Sequence, residues 1–147
     1  METQTFIIGN REFTCLRMNA FEANKLLLRI QKIAIPLLGT LTGSGKSLGD
    51  IDVKEAAQVV ASSIDESIID NIVLPMFAGA RIFCVEKKQF IKSGIDIDKC
   101  FTAENLFDLY ELIFEVARYQ FGPCFEAAIA RFGVLTDAAK PQESQAS

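Results

Sequence analysis

Apolar and polar positions alternate first with a strand-like period near the start of the chain and then fall into a succession of amphipathic segments. Residues 3–17, TQTFIIGNREFTCLR, carry two strand-like runs on either side of Gly9-Asn10, a two-residue turn type that suits the twist of paired strands. That turn sets a register in which Phe6 faces Phe13 and Ile7 faces Glu12, so one face of the hairpin is apolar. An isolated hairpin is marginal in water, and this one should therefore lie on the helices that follow.

Asn19 and Glu22 form a capping box at the start of a helix over residues 20–38, with Pro36 bending or ending it. Its polar residues Glu22, Lys25, Arg29 and Lys32 make one narrow stripe. The remaining arc, including Leu26, Leu27, Leu28, Ile30, Ile33, Ala34 and Ile35, is apolar and wide enough to imply burial on more than one side. After a Gly/Ser/Thr connector, Asp52 and Glu55 open a second helix reaching about residue 63. A third segment, ESIIDNIVLPMF, begins near Asp65 and is expected to break at Pro75, because an interior proline removes a helical hydrogen bond. Residues 81–85, RIFCV, read as a short strand or extended link without an evident partner, and EKKQFIKSGIDIDK as loop.

Thr102 caps the strongest helix, AENLFDLYELIFEVARYQF, which Gly122 and Pro123 should terminate. Glu104, Asp108, Glu111, Glu115 and Arg118 align on it as a largely acidic stripe, expected to be solvated because exposed ion pairs contribute little. A last helix, CFEAAIARF, stops at Gly133. The fold class is mainly α, within α+β: one helical domain over residues 1–133, of about five helices with an N-terminal β-hairpin at 3–17. The polar segment 134–147 is expected to be a disordered tail.

At 147 residues, half of them hydrophobic, the chain suits one domain with a sizeable core. No run approaches the roughly 18 apolar residues of a membrane span, and METQTFIIGNRE lacks the basic opening and apolar run of a secretory signal, which together point to a cytosolic protein. Cys15, Cys84, Cys100 and Cys124 lie far apart with no Cys-x-x-Cys pair, which fits buried, reduced, inert thiols. Histidine is absent, and with it the commonest general base and metal ligand. Net charge is −4, so the chain as a whole offers no electrostatic footprint for nucleic acid; Lys87, Lys88 and Lys92 read as a solvated loop face.

Three patterns come closest to chemistry. Gly45-Lys46-Ser47 imitates a phosphate loop, but Thr40 stands where the first glycine belongs. A helical rather than strand-like segment precedes it, and Leu48-Gly49-Asp50 follows it, so a flexible connector is the better reading. Asp50-x-Asp52 and Asp96-x-Asp98 precede helices and read as helix caps rather than a cation site. Phe101, Phe107, Phe114, Phe121 and Phe125 recur at intervals of six, seven, seven and four, and Leu28 and Ile35 repeat the spacing of seven. Such ridges serve either as core or as a helix-binding groove or self-association seam.

In order and texture the chain resembles the small tail assembly chaperones of long-tailed bacteriophages and prophages. The likeness rests on the hairpin FIIGNREFTCLRM, the leading helix NAFEANKLLLRIQKIAIPLLG, a Gly/Ser connector, LPMFAGARIF and the aromatic late segment LYELIFEVARYQFGPCFEAAI. The resemblance implies a cofactor-free, non-enzymatic protein of the bacterial host cytoplasm, binding neither nucleic acid nor membrane. It would bind and solubilise the tape measure protein, a long helical client, before the tail tube polymerises. It also implies a possible frameshifted longer form of the chain as partner; a homo-oligomer is possible. Partner contacts are expected at Leu28, Ile35, Phe114, Phe121 and Phe125. The rival readings are a structural tail completion or connector subunit, and a nucleotide-binding enzyme using Gly45-Lys46-Ser47.

Overall fold

A computed structural model describes residues 3–41 and 52–132, with side chains for 3–30, 52 and 54–124. The Gly45-Lys46-Ser47 connector, Asp50 and the tail 134–147 lie outside the described residues.

Strands β1 (Thr3–Ile8) and β2 (Arg11–Leu16) pair in the register that the turn dictates, with Phe6 opposite Phe13 and Ile7 opposite Glu12. Gly9 and Asn10 both take positive φ, 58° and 68°, as a two-residue turn matched to strand twist requires. The hairpin is half of a larger sheet. Phe13 and Thr14 pair with β3 (Phe83–Cys84), and β3 pairs with β4 (Gln89–Phe90), giving an antiparallel sheet in the order β1-β2-β3-β4. RIFCV thus finds its partner in β2, and the run expected to be loop supplies the fourth strand. Two-residue strands are too short for alternation to register in a sequence.

The same polar run hides a helix, α5 (Gly94–Cys100). Its entry is a capping box: the Ser93 hydroxyl accepts from the Asp96 N–H, while the Asp96 carboxylate accepts from the N–H groups of Lys92 (3.0 Å) and Ser93 (3.2 Å). These backbone bonds, the Lys92 one foremost, hold the Asp96 carboxyl below its ordinary value of 3.8. Asp52 accepts from the Lys54 N–H at the start of α2 (Val53–Ser63), as a helix cap does. Asp96 and Asp98, expected to precede a helix, instead lie inside α5, and only Asp96 answers N–H groups at its entry.

The leading helix α1 (Ala20–Leu41) runs past its expected end at residue 38. Asp65 caps α3 (Glu66–Ile68), which passes through a π-helical turn (Ile69–Val73) into α4 (Leu74–Ala80). Thr102 caps a 3₁₀ turn (Ala103–Asn105) that opens α6 (Leu106–Phe132). With α3 and α4 continuous, the described residues form five helices beside the four-stranded sheet, which is the mainly helical α+β class.

Neither Pro75 nor Pro123 interrupts the helical backbone, contrary to expectation: Pro75 stands in the first turn of α4, directly after the π turn, where a proline is tolerated, and Pro123 lies inside α6. A proline has no N–H for the carbonyl four residues earlier, here Asn71 and Tyr119. Arg29 of α1 donates Nη1 to the Asn71 carbonyl at 2.8 Å, and Arg17, just past β2, donates Nη1 to the Tyr119 carbonyl. Each of these carbonyls is satisfied by a guanidinium from another element, which ties the helix to its neighbour. What was expected as a separate last helix is therefore the end of α6.

The core lies between the inner face of the sheet and the helices. Phe6, Ile8, Phe13, Cys15 and Cys84 pack with Met76 and Phe77 of α4, Leu112 and Val116 of α6, and Leu26 and Ile30 of α1. Phe13 stacks on Phe101 at 5.7 Å between centroids. The Arg11 guanidinium covers both rings, 5.3 and 4.7 Å from their centroids, and donates to the Cys100 carbonyl at the end of α5. Gln120 of α6 clamps the exit from β2: its Nε2 donates to the Leu16 carbonyl (2.7 Å) and its Oε1 accepts from the Met18 N–H (2.9 Å). This clamp, with the Arg17 bond beside it, fixes where α1 begins.

Candidate partner-binding surface

Helical period decides what α1 shows to solvent. Leu26 and Ile30, four residues apart, face the core with Ala23 and Leu27 packed beside them. The opposite stripe carries Phe21 and Leu28, seven residues and hence about two turns apart. They are 73% and 60% exposed, and both are large apolar side chains. Lys25, one turn beyond Phe21, places its ammonium 4.7 Å from the Phe21 ring centroid. Arg29, beside Leu28, reaches across to the Asn71 carbonyl. With Glu22 the only acidic residue of this stretch, the apolar stripe carries a positive rim on a chain of net charge −4.

Of the residues expected to touch a partner, Leu28 is at the surface. Phe114 is half-buried, with the Arg118 guanidinium 5.1 Å from its centroid, and Arg118 in turn pairs with Glu115. Phe121 is 2% exposed and belongs to the core, so in this fold it supports α6 from within. Ile35 and Phe125 sit on α1 and α6, but their side chains lie outside the described residues. The phenylalanine ridge is divided: Phe101 and Phe121 point inward, whereas Phe107 is exposed and meets Tyr110 edge-on at 5.9 Å. The acidic stripe is also divided. Glu111 is largely covered and pairs with Lys54 of α2 at 3.7 Å, a correction to its expected solvation.

Phe21 is the surface residue that the sequence reading passed over, although it extends the Leu28–Ile35 spacing of seven by one more step. Arg17, Arg29 and Gln120 were missed for a different reason. Their partners are backbone groups distant in sequence, and no local pattern points to them.

Reactive chemistry has little to work with among the described side chains. Cys15, Cys84 and Cys100 are buried as expected, while Cys124 is exposed, which corrects the expectation for that thiol. Burial pushes the Cys15 thiol up to about 11, and burial together with the neighbouring Cys84 does the same for Cys100, so both stay protonated at neutral pH. Among the described residues no cluster of His, Cys, Asp or Glu has the makings of a metal site, and no helix is long and apolar enough to cross a membrane. On the outer face of the sheet, Thr3, Thr14, Leu16, Arg81, Phe83 and Phe90 line an open hollow of about 330 Å³.

Phe21 and Leu28 thus give α1 an exposed apolar stripe with cationic side chains beside it. Residues 9–133, most of the 147-residue chain, match the family described as phage tail assembly chaperone protein, TAC, and the chain belongs to that family. Neither the curated proteins nor the solved structures contain a match to the chain. Membership gives the chain a chaperone's role in tail assembly, which is a non-enzymatic one.

Proposed function

We propose that the chain holds a helical segment of the tape measure protein against the exposed face of α1 and keeps that client soluble until the tail tube forms around it, in the cytoplasm of the bacterial host. The observation that carries this reading is the exposed pair Phe21 and Leu28 on one stripe of a helix whose other face is locked into the core. An amphipathic client helix presents its own apolar residues at the same two-turn spacing, so the two stripes can interlock. Lys25 and Arg29 favour a client whose flanking positions are acidic. Ile35 and Phe125 would extend the contact, with Phe114 at its margin, while Phe121 acts by supporting α6. The longer frameshifted form would carry the same α1 face.

The test is co-expression with the tape measure protein, reading the soluble fraction of the client. Phe21→Asp and Leu28→Asp should each lower that fraction severalfold while leaving the melting temperature and helical circular dichroism of the chaperone unchanged, because neither side chain is in the core. A double variant that still keeps the client fully soluble would overturn the assignment. Recovery of the chain in stoichiometric amounts from purified virions would favour the connector reading instead.

A further inference from the structure

The two edges of the sheet are not alike. At one edge, β4 is only Gln89–Phe90, and Lys87, Lys88 and Lys92 flank it. Short length and lysines are the usual means by which an edge avoids pairing with another chain. At the other edge β1 spans six residues, TQTFII, with no charge and no proline. Nothing in that strand discourages a further strand from joining it.

Hydrogen-bond phase shows which groups β1 offers. Ile8 and Arg11 flank the two-residue turn and form a hydrogen-bonded pair, and along an antiparallel ladder such pairs alternate with non-bonded ones. Ile8, Phe6 and Gln4 therefore spend their N–H and C=O groups on β2. Thr3, Thr5 and Ile7 turn theirs outward. Among the described residues no backbone partner meets these outward groups, and the Thr5 carbonyl has only the Gln4 side-chain amide at 3.4 Å. All three residues are exposed, Ile7 at 68%.

We infer that β1 is a self-pairing edge, and that two copies of this chain join antiparallel through it about a two-fold axis at Thr5. In that register Thr5 faces Thr5 of the second copy and Thr3 faces Ile7. Every outward N–H and C=O of the three residues then finds a partner, and Ile7 is partly covered on the outer face of one continuous sheet. A neutral strand suits this arrangement because a charge at the axis position would face its own copy. Occupation of β1 leaves only the lysine-flanked β4 edges at the ends, so the pairing closes at two copies instead of running on as a fibre. This inference stands apart from the client reading, since it concerns neither α1 nor the tape measure protein.

Sedimentation equilibrium of the full chain from micromolar to roughly hundred-micromolar concentration tests it. The wild type should show twice the 16.2 kDa chain mass at the upper end. Thr5→Pro should be monomeric throughout, because the N–H it removes points away from β2 and the internal ladder keeps its bonds. Thr5→Lys, which leaves the backbone intact and places like charges at the axis, guards against a folding defect in the proline variant and should also be monomeric. Phe21→Asp should remain dimeric. A wild type that stays at single-chain mass, or a folded Thr5→Pro or Thr5→Lys protein that keeps the wild-type mass, overturns the proposal.

Discussion

At the scale of single residues, polar side chains that answer backbone groups decide much of the fold, and Asp96 is the case that titrates. Its carboxylate takes two backbone N–H groups at the entry to α5 and also accepts from Gln89 at 2.6 Å. Because its folded-state value lies below the ordinary 3.8, the stabilisation it gives is fully present above that value and is lost as pH falls through the lowered one. Asp96→Ala should therefore be less stable than wild type at neutral pH, with a gap that stays constant down to the upper carboxylate range and closes on further acidification. Denaturant titrations across that range check it, and a gap independent of pH would show that the ionised carboxylate is not what matters. The same residue illustrates what a sequence can convey. The Ile-Asp pattern pointed to helix-entry chemistry, which Asp96 supplies from within the first turn of α5 and not ahead of the helix expected after it. The helix it opens stayed hidden, because α5 is seven residues long and sits among the charges of EKKQFIKSGIDIDK.

At the scale of elements, the difference between reading and structure turns on what a proline costs in context. Gly9-Asn10, Asp52, Asp65 and Thr102 act locally, and each element boundary they mark was legible. Pro75 and Pro123 were misjudged because a π turn precedes the one, and because the carbonyls they leave are met by Arg29 and Arg17, 42 and 102 residues away. The arginines and the prolines should consequently be coupled. Arg29→Ala should destabilise the chain by about 0.5–1.5 kcal/mol through the loss of one hydrogen bond. In a Pro75→Ala background, where residue 75 again has an N–H for the Asn71 carbonyl, the same replacement should cost clearly less. A double-mutant cycle measures that difference, and additive effects would mean that the guanidinium contributes only packing. For the surface, Leu28 was legible from its spacing. The inward turn of Phe121 was not, since helical period gives a stripe its direction only once the neighbouring elements are in place.

At the scale of the whole molecule, the proposed α1 contact would by itself be a weak grip. Burial of Phe21 and Leu28 is worth roughly 1.5–3 kcal/mol each, hence about 3–6 kcal/mol together. A micromolar complex needs about 8 kcal/mol after all ordering costs are met. Two faces joined through β1 would hold a long client far more firmly, because the second contact forms at the effective concentration set by the first, and each contact would stay individually reversible. The two surfaces then make separable contributions. Thr5→Pro should bind a short single-helix client peptide as well as wild type does, yet lose about tenfold or more in its hold on the full-length client. Phe21→Asp should lose both while keeping the dimer mass. Titrating peptide and full-length client in parallel distinguishes the cases: equal affinity of Thr5→Pro and wild type for the long client would mean that the two faces never engage one client together, and that the strength of the hold must come from further contacts along α1 itself.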